Sequence, residues 1–385
     1  MQTAPQQRKK GYHMNPFSIS SISNDKFCNR VDEIEKLQSY MRNGIHVVVY
    51  APRRFGKSSL ANVVQSGLTD MDNIYVELFS VTSIDEVAKL LHSAIVNALG
   101  VNAARETSFL KMIGEFFSHV KFSLSYDSVG QTPKFDVSLG DSTPAVCIKD
   151  VISSLDAYCQ KHNRRVCIVL DEFQEICGLK EAKQIEAFLR DGMQRTKMIS
   201  FIFMGSRRTI LRDMFENKAR PFYKSTMKLE LEGIPHDVFA RFIATRFEQA
   251  GHAIAPVIAD QIVSFTNGYA YYTQKLALLY FDAIESGVDD IEKAKAELIK
   301  SESSDCEYMY VNLAANQKKL LKAIANNPTA NLYASSYLKD NQLGAASSVR
   351  MAAGKLKQLD YIEERAGIWR TVDPILEKWI RSHHA

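Results

Sequence analysis

Apolar positions along this chain repeat with two different periods, and the way those periods alternate predicts a layered fold. Five short β-branched or apolar runs, at 45–50, 74–78, 166–170, 199–204 and 227–231, read as strands. Stretches with apolar residues every three or four positions lie mostly between them, at 58–64, 84–99, 146–158 and 182–193, and read as helices. Strands alternating with helices predict an α/β fold, a parallel five-stranded sheet with helices on both faces. The run at 166–170 is apolar throughout, as a strand buried on both faces must be.

One segment breaks the alternation. Residues 121–127 and 134–140 each alternate apolar and polar side chains about a turn containing Gly130 and Pro133, which predicts an amphipathic hairpin inserted into the core. Such a hairpin either decorates an edge or contacts DNA or a partner. Upstream, 31–41 has helical spacing with Gly44 as a stop, whereas 1–20 lacks periodicity and reads as a flexible tail.

Beyond Gly233 the strands end. Four helical stretches (238–250, 256–266, 271–285 and 291–301) predict a small bundle over 234–305, with stops at Gly251 and at Asn267–Gly268. Residues 306–385 read as a third unit. It has helices at 317–325 and 335–340, then a longer one carrying Val349, Ala352, Leu356 and Leu359. Two short strands at 361–363 and 368–372 turn at Arg365-Ala-Gly367, and a last helix opens with Asp373 as N-cap and Pro374 in its first turn. Helices followed by a two-stranded wing make a winged helix-turn-helix pattern.

Composition narrows the function classes. A net charge of +4 over 385 residues argues against a chain that coats nucleic acid along its whole length. No apolar run reaches the ~18 residues that would span a bilayer, and the polar, basic start does not read as a secretory signal, so a cytoplasmic protein without a membrane partner is expected. Six cysteines form no C-x-x-C pair, which fits reduced thiols rather than a zinc site or disulfides.

The strongest chemical signal is Ala51-Pro-Arg-Arg-Phe-Gly-Lys-Ser58, set between a strand and a helix. A triphosphate needs backbone N–H groups turned toward it, a cation on its terminal phosphates and a hydroxyl on Mg²⁺. Ala51, Pro52, Arg53, Arg54, Phe55, Gly56, Lys57, Ser58 and Ser59 form the expected cradle. Gly56 allows close backbone approach, Lys57 reaches the β and γ oxygens, Ser58 holds the metal, and the helix N-terminus adds its dipole. Ala51 stands where the pattern has glycine, a change of one methyl group.

A second signal is Val166-Cys-Ile-Val-Leu-Asp-Glu172, a buried strand delivering two acids to its C-terminal end, where ligands of α/β folds bind. Asp171 is the candidate magnesium ligand and Glu172 the base that orients and deprotonates water. A third strand ends in Gly205-Ser206-Arg207-Arg208, where Ser206 is a candidate sensor of the γ-phosphate. Arg207 and Arg208 either reach the nucleotide of a neighbouring copy or are surface charges opening a helix.

In this order, Phe27-Cys-Asn-Arg30, the Pro-Arg-Arg-x-Gly-Lys-Ser-Ser loop, Leu170-Asp-Glu-Phe-Gln-Glu175, Gly205-Ser206 and Gly268-Tyr-Ala-Tyr-Tyr-Thr-Gln274 resemble the archaeal-type ATPases. That family belongs to the STAND branch of the AAA+ class and is similar in layout to origin-recognition initiators. The resemblance covers roughly 15–380 and implies an ATPase core over 21–233, a helical lid over 234–305 and the winged helix, with ATP or ADP and Mg²⁺ bound between core and lid. It adds Phe27, Arg30 and Gly268 to the nucleotide-binding set. The chain departs from the family at three places. Asn29 and Ala270 replace the usual glycine and proline, and Arg220-Pro-Phe-Tyr-Lys-Ser225 ends without the arginine that would act across a subunit boundary. Arg220 and Lys224 are then the substitutes. Tyr269, Tyr271 and Tyr272 either stack on adenine or pack the lid.

Residues 316–385 hold 11 Lys and Arg against 6 Asp and Glu. Ser347, Ser348, Arg350, Lys355 and Lys357 fall on or near the expected recognition helix, with Arg365 and Arg370 in the wing, a distribution suited to duplex DNA. Winged helices also dock proteins, and Lys318, Lys319 and Lys322 equally describe a solvated helix face. Three functions follow. One is an ATP-hydrolysing switch that controls assembly, as a homo-oligomer or with a protein partner, or recruits DNA. The others are an initiator-like or mobile-element loader that grips DNA, and a nucleotide-binding scaffold with negligible turnover.

Overall fold

The computed structural model describes residues 14–19, 27–103, 120–126, 133–139 and 144–384, with the backbone path alone between 100 and 147. The chain divides into two compact units. One comprises Arg30–Glu232 and Ala314–Val372, and the other Gly233–Leu313, Asp373–Ala385 and the described part of Met1–Asn29.

The first unit is built on a five-stranded sheet whose order is β2 (Asp72–Glu77), β5 (Val166–Asp171), β6 (Ile199–Gly205), β1 (Val47–Tyr50) and β7 (Met227–Glu230). Every pairing in it is parallel. The three central strands are buried at every position, whereas β2 at one edge alternates buried and half-buried residues up to the exposed Glu77. Continuous Val, Ile and Phe runs supply both faces of the central strands, so the sheet is covered by helices on both sides. Parallel register brings Glu77 beside Asp171, Leu170 beside Phe203 and Tyr50 beside Gly205. The loops leaving β1, β5 and β6 therefore emerge together at one end of the sheet.

Phenylalanines hold that end together. The Phe173 ring lies 4.7 Å from Phe203 and 5.6 Å from Phe222, and Phe215 stacks on Phe222 at 4.8 Å. This cluster fastens the 3₁₀ turn Phe173–Gly178, which follows the acidic pair, and the helix Arg208–Glu216 onto β6. The expected hairpin is present as β3 (Val120–Tyr126) and β4 (Pro133–Leu139), antiparallel with Phe122 opposite Val137, and Gly130 lies outside the described residues.

The winged helix belongs to this first unit. Helices Ala315–Asn326, Ser335–Asp340 and Ala346–Gln358 are followed by β8 (Ile362–Arg365) and β9 (Ile368–Thr371), which pair antiparallel. Thr329 and Trp369 exchange backbone hydrogen bonds of 3.2 and 2.8 Å, adding a third short rung to the wing. Leu320, Ile324, Val349, Leu356 and Ile362 form its buried side.

In the second unit, the helices His236–Gln249, Pro256–Phe265, Ala270–Glu285 and Ile291–Val311 form the bundle. The helix Ile291–Val311 runs past residue 305, and the terminal helix Pro374–His383 packs within this second unit. The reason is an apolar stripe of Ile375, Leu376, Trp379 and Ile380, all buried, with Trp379 edge-on to Tyr310 at 5.9 Å. Asp373 caps this helix as expected, accepting from the amides of Ile375 and Leu376. The expectation of a flexible tail over 1–20 needs correction for residues 14–19. Phe17 is buried with its ring 4.9 Å from Phe247, and Asn15 donates to Asp282 at 2.8 Å. No helix among the described residues is long and apolar enough to cross a membrane.

Candidate active site

The loop between β1 and the helix Lys57–Ser66 turns through two left-handed residues, Arg54 (φ 65°) and Gly56 (φ 89°). Glycine meets no steric penalty at Gly56, and the N-terminus of the helix that follows leaves its first amides available to an anion. Lys57 is buried, and its Nζ donates to Pro52 O at 3.0 Å and more weakly to Ala51 O at 3.5 Å. Burial lowers its pKa, while the carboxylates of Glu172 and Asp171 pull in the opposite direction. Phe55 is buried beneath the loop with the Arg30 guanidinium 5.7 Å from its ring centre. Arg30 also donates to Glu232 O at 2.9 Å and pairs with Glu33 at 3.2 Å, so it braces the loop through Phe55. Ser59 is half-buried, the third residue of the helix.

Asp171 is brought to the loop by the end of β5. Ser58 Oγ donates to its Oδ2 at 2.7 Å, the Tyr75 hydroxyl donates to the same oxygen, and the amide of Glu172 donates to Oδ1 at 2.9 Å. The hydroxyl of Ser58 and the carboxylate of Asp171 are hard oxygen donors placed side by side, the donor set that fits Mg²⁺. Tyr75, reached from β2, was missed by sequence reasoning because one tyrosine in an alternating edge strand reads as packing. Burial and the neighbouring Asp171 charge raise its pKa well above the ordinary phenol value.

Glu172 follows in a left-handed conformation (φ 50°), which turns its side chain back toward the ends of β1 and β6. Its Oε2 accepts from Ser206 Oγ at 2.8 Å and from Gln174 Nε2 at 2.5 Å. Burial pushes its pKa up, but the Lys57 charge and these two hydrogen bonds outweigh that and hold the carboxyl below its ordinary value. Arg53 Nε donates to Ser206 Oγ at 3.3 Å. Residues from three loops, the first more than a hundred positions before the other two, thus form one connected polar network.

The arginines proposed to reach a neighbouring copy have different surroundings. Arg208 pairs with Asp360 at 3.0 Å and Glu363 at 2.9 Å, both in the winged helix. Arg220 pairs with the fully buried Glu186 at 2.7 Å. Arg207 is half-exposed and carries no ion pair among the described residues.

Phe27 and Gly268 lie in the second unit, where Gly268 adopts φ 67° as a helix stop. Tyr269 and Tyr272 are buried there, and Tyr272 donates to Asp373 at 2.7 Å, which places both in lid packing; Tyr271 donates to Glu302 at 3.3 Å. On the winged helix, Ser347, Arg350, Lys355 and Lys357 are exposed. Arg350 lies over the Tyr333 ring, Lys357 lies over Trp369, and Arg370 pairs with Glu363 at 2.6 Å. Among the described residues no group of three or more His, Cys, Asp or Glu forms a metal cluster, and Cys159, Cys167 and Cys177 are free thiols.

A glycine-lysine-serine turn opening a helix, facing an acid pair at the tip of a parallel strand one place removed in the sheet, defines a P-loop ATPase of AAA+-like layout. The match to the model of ATPase domains found predominantly in Archaea spans 27–276, and the chain belongs to that family. A second family model, a probable winged helix domain, matches 306–382. The fold is similar to a Walker-type ATPase of Pyrococcus abyssi, at 17% identity and a TM-score of 0.69, covering 93% of this chain and 97% of that one. It is also similar to the ORC2 protein of Aeropyrum pernix in its ADPNP–ADP complexes, at 14% identity and a TM-score of 0.52, covering 92% and 95%. No curated protein sequence matches the chain.

Proposed function

We propose that the protein is a Mg²⁺-dependent ATP-hydrolysing switch whose nucleotide state governs the engagement of its winged helix with DNA or a protein partner. The reading rests on one observation: Lys57, Ser58, Asp171, Glu172 and Ser206 converge at one end of the sheet, and Arg208, two residues beyond Ser206, grips the winged helix. In it, backbone amides and Lys57 bind the polyphosphate, and Ser58 with Asp171 holds Mg²⁺. When bound, the metal neutralises charge developing on the phosphate oxygens. Glu172 orients water and takes its proton, while Ser206 reports on the terminal phosphate through its hydrogen bond to Glu172. Arg208 then links that report to Asp360 and Glu363.

A second reading, a loader that grips duplex DNA, is favoured by the exposed Ser347, Arg350 and Lys355 on one helix. One experiment addresses both. Glu172→Gln should keep ATP binding while turnover drops by about 10²- to 10⁴-fold, the usual contribution of a general base. Unchanged turnover in that variant would sink the assignment. Repeating the assay with duplex DNA separates the readings: stimulation at low salt that fades by about 200 mM supports the loader, and indifference to DNA supports a protein-directed switch.

A further inference from the structure

The 3₁₀ turn after the acidic pair carries a polar side chain that packing alone does not account for. Gln174 is 1% exposed and sits among Phe173, Ile176 and Leu211, where an apolar residue would be the simpler choice. Its Nε2 donates to Glu172 Oε2 at 2.5 Å and to Glu175 Oε1 at 3.1 Å. Two carboxylates on one side determine the amide's orientation, since a flipped carbonyl would face both negative charges. Its Oε1 is consequently turned away and has no hydrogen-bond partner among the described residues. A buried acceptor left in that state is unfavourable, and such groups persist where another requirement holds them.

Gly205 meets that requirement from the other side. A Cβ at this position would lie 1.7 Å from Gln174 Oε1 and 3.0 Å from Leu211, so the amide fits only because the strand end has no side chain. Glu172 itself has the left-handed backbone of an uncommon non-glycine conformation, and its Oε2 takes donors from Gln174 and Ser206. Its Oε1 accepts no hydrogen bond among the described residues.

We propose that Gln174 is a positioning residue for the water-activating Glu172: its amide clamps one carboxylate oxygen so that the other is presented to water, and Gly205 is the clearance that lets the amide reach. This rests on the ATPase reading above. In function it differs from Ser206, which contacts the same oxygen from the strand tip, because Gln174 is enclosed in the core and cannot itself reach a phosphate.

The test measures turnover and nucleotide dissociation constants for the full chain, for Gln174→Met and for Gly205→Ala, each with and without Glu172→Gln. Gln174→Met should lower kcat by about 10- to 100-fold, the range for losing a hydrogen bond to a charged group, with nucleotide affinity kept within about twofold. Gly205→Ala should reproduce the loss by displacing the amide, and it carries the test if Gln174→Met does not fold. On the Glu172→Gln background neither change should lower the residual turnover further, because a residue acting through Glu172 has nothing left to position. Equal losses on both backgrounds, or wild-type kcat in both single variants, would overturn the clamp while leaving the ATPase reading intact. Absence of turnover in the unmodified protein would overturn the reading and the clamp together.

Discussion

Lys57 shows how a single residue carries opposing physical demands. It is buried beneath the loop, where an ammonium is poorly solvated, yet two backbone carbonyls and two nearby carboxylates keep it in place. A side chain so placed suits a polyanion better than the water it has lost. Lys57→Ala should therefore abolish nucleotide-induced stabilisation. With Mg-ATP at about a hundred times its dissociation constant, the parent should gain ~2.7 kcal/mol in thermal or denaturant unfolding, and the variant essentially none. A variant that gained as much as the parent would remove Lys57 from the site. Asn29 is also explained at this scale. Its φ of 58° is left-handed, a region that asparagine tolerates better than most residues, so it stands where the family's glycine does without distorting the chain.

Among the elements, the helix Ala182–Arg195 carries a charge that its surroundings barely accommodate. Glu186 is fully buried, and burial lifts its carboxyl to about 7 even with Arg220 beside it at 2.7 Å. The sign of the pH effect follows from this. Between the ordinary carboxyl value of 4.5 and about 7, the folded protein holds a proton that the unfolded chain releases. Glu186 thus contributes stability below about pH 4.5 that is lost as pH rises through about 7. Glu186→Gln should flatten that slope, measured by urea unfolding at several pH values, and an unchanged slope would show that another group is responsible. The Glu186–Arg220 pair also ties the segment before β7 to this helix, so Arg220 has a structural duty that a free finger residue would not have.

At the scale of the first unit, Arg208 joins the winged helix to the ATPase core. Its guanidinium is mostly buried between Asp360 and Glu363, and Thr209 donates to Lys357 O at 3.1 Å beside it. Removing one partner of a buried ion pair leaves the other charges without compensation, a loss of roughly 3–5 kcal/mol. Arg208→Ala should therefore loosen the docking of the winged helix and speed its cleavage in limited proteolysis by on the order of tenfold or more. Equal cleavage rates would mean that apolar contacts alone hold it. Because Arg208 follows Ser206 so closely, this joint is the one through which the switch proposed above would act.

The periodicity of apolar residues was enough to determine the strands, most helices, the lid and the wing, because burial of a face repeats locally along the chain. The motif around Lys57 and the acids at the end of an apolar run were legible for the same reason: each is a short segment whose chemistry lies in adjacent residues. What only the tertiary structure decided is which distant groups meet. Tyr75 on Asp171, Gln174 against Gly205, Arg208 on Asp360 and Trp379 in the bundle all join residues whose proximity depends on strand order and helix packing. No local pattern encodes these pairings, since each side chain alone reads as ordinary surface or core, and it is the parallel register of the sheet that brings the loops after β1, β5 and β6 to the same end.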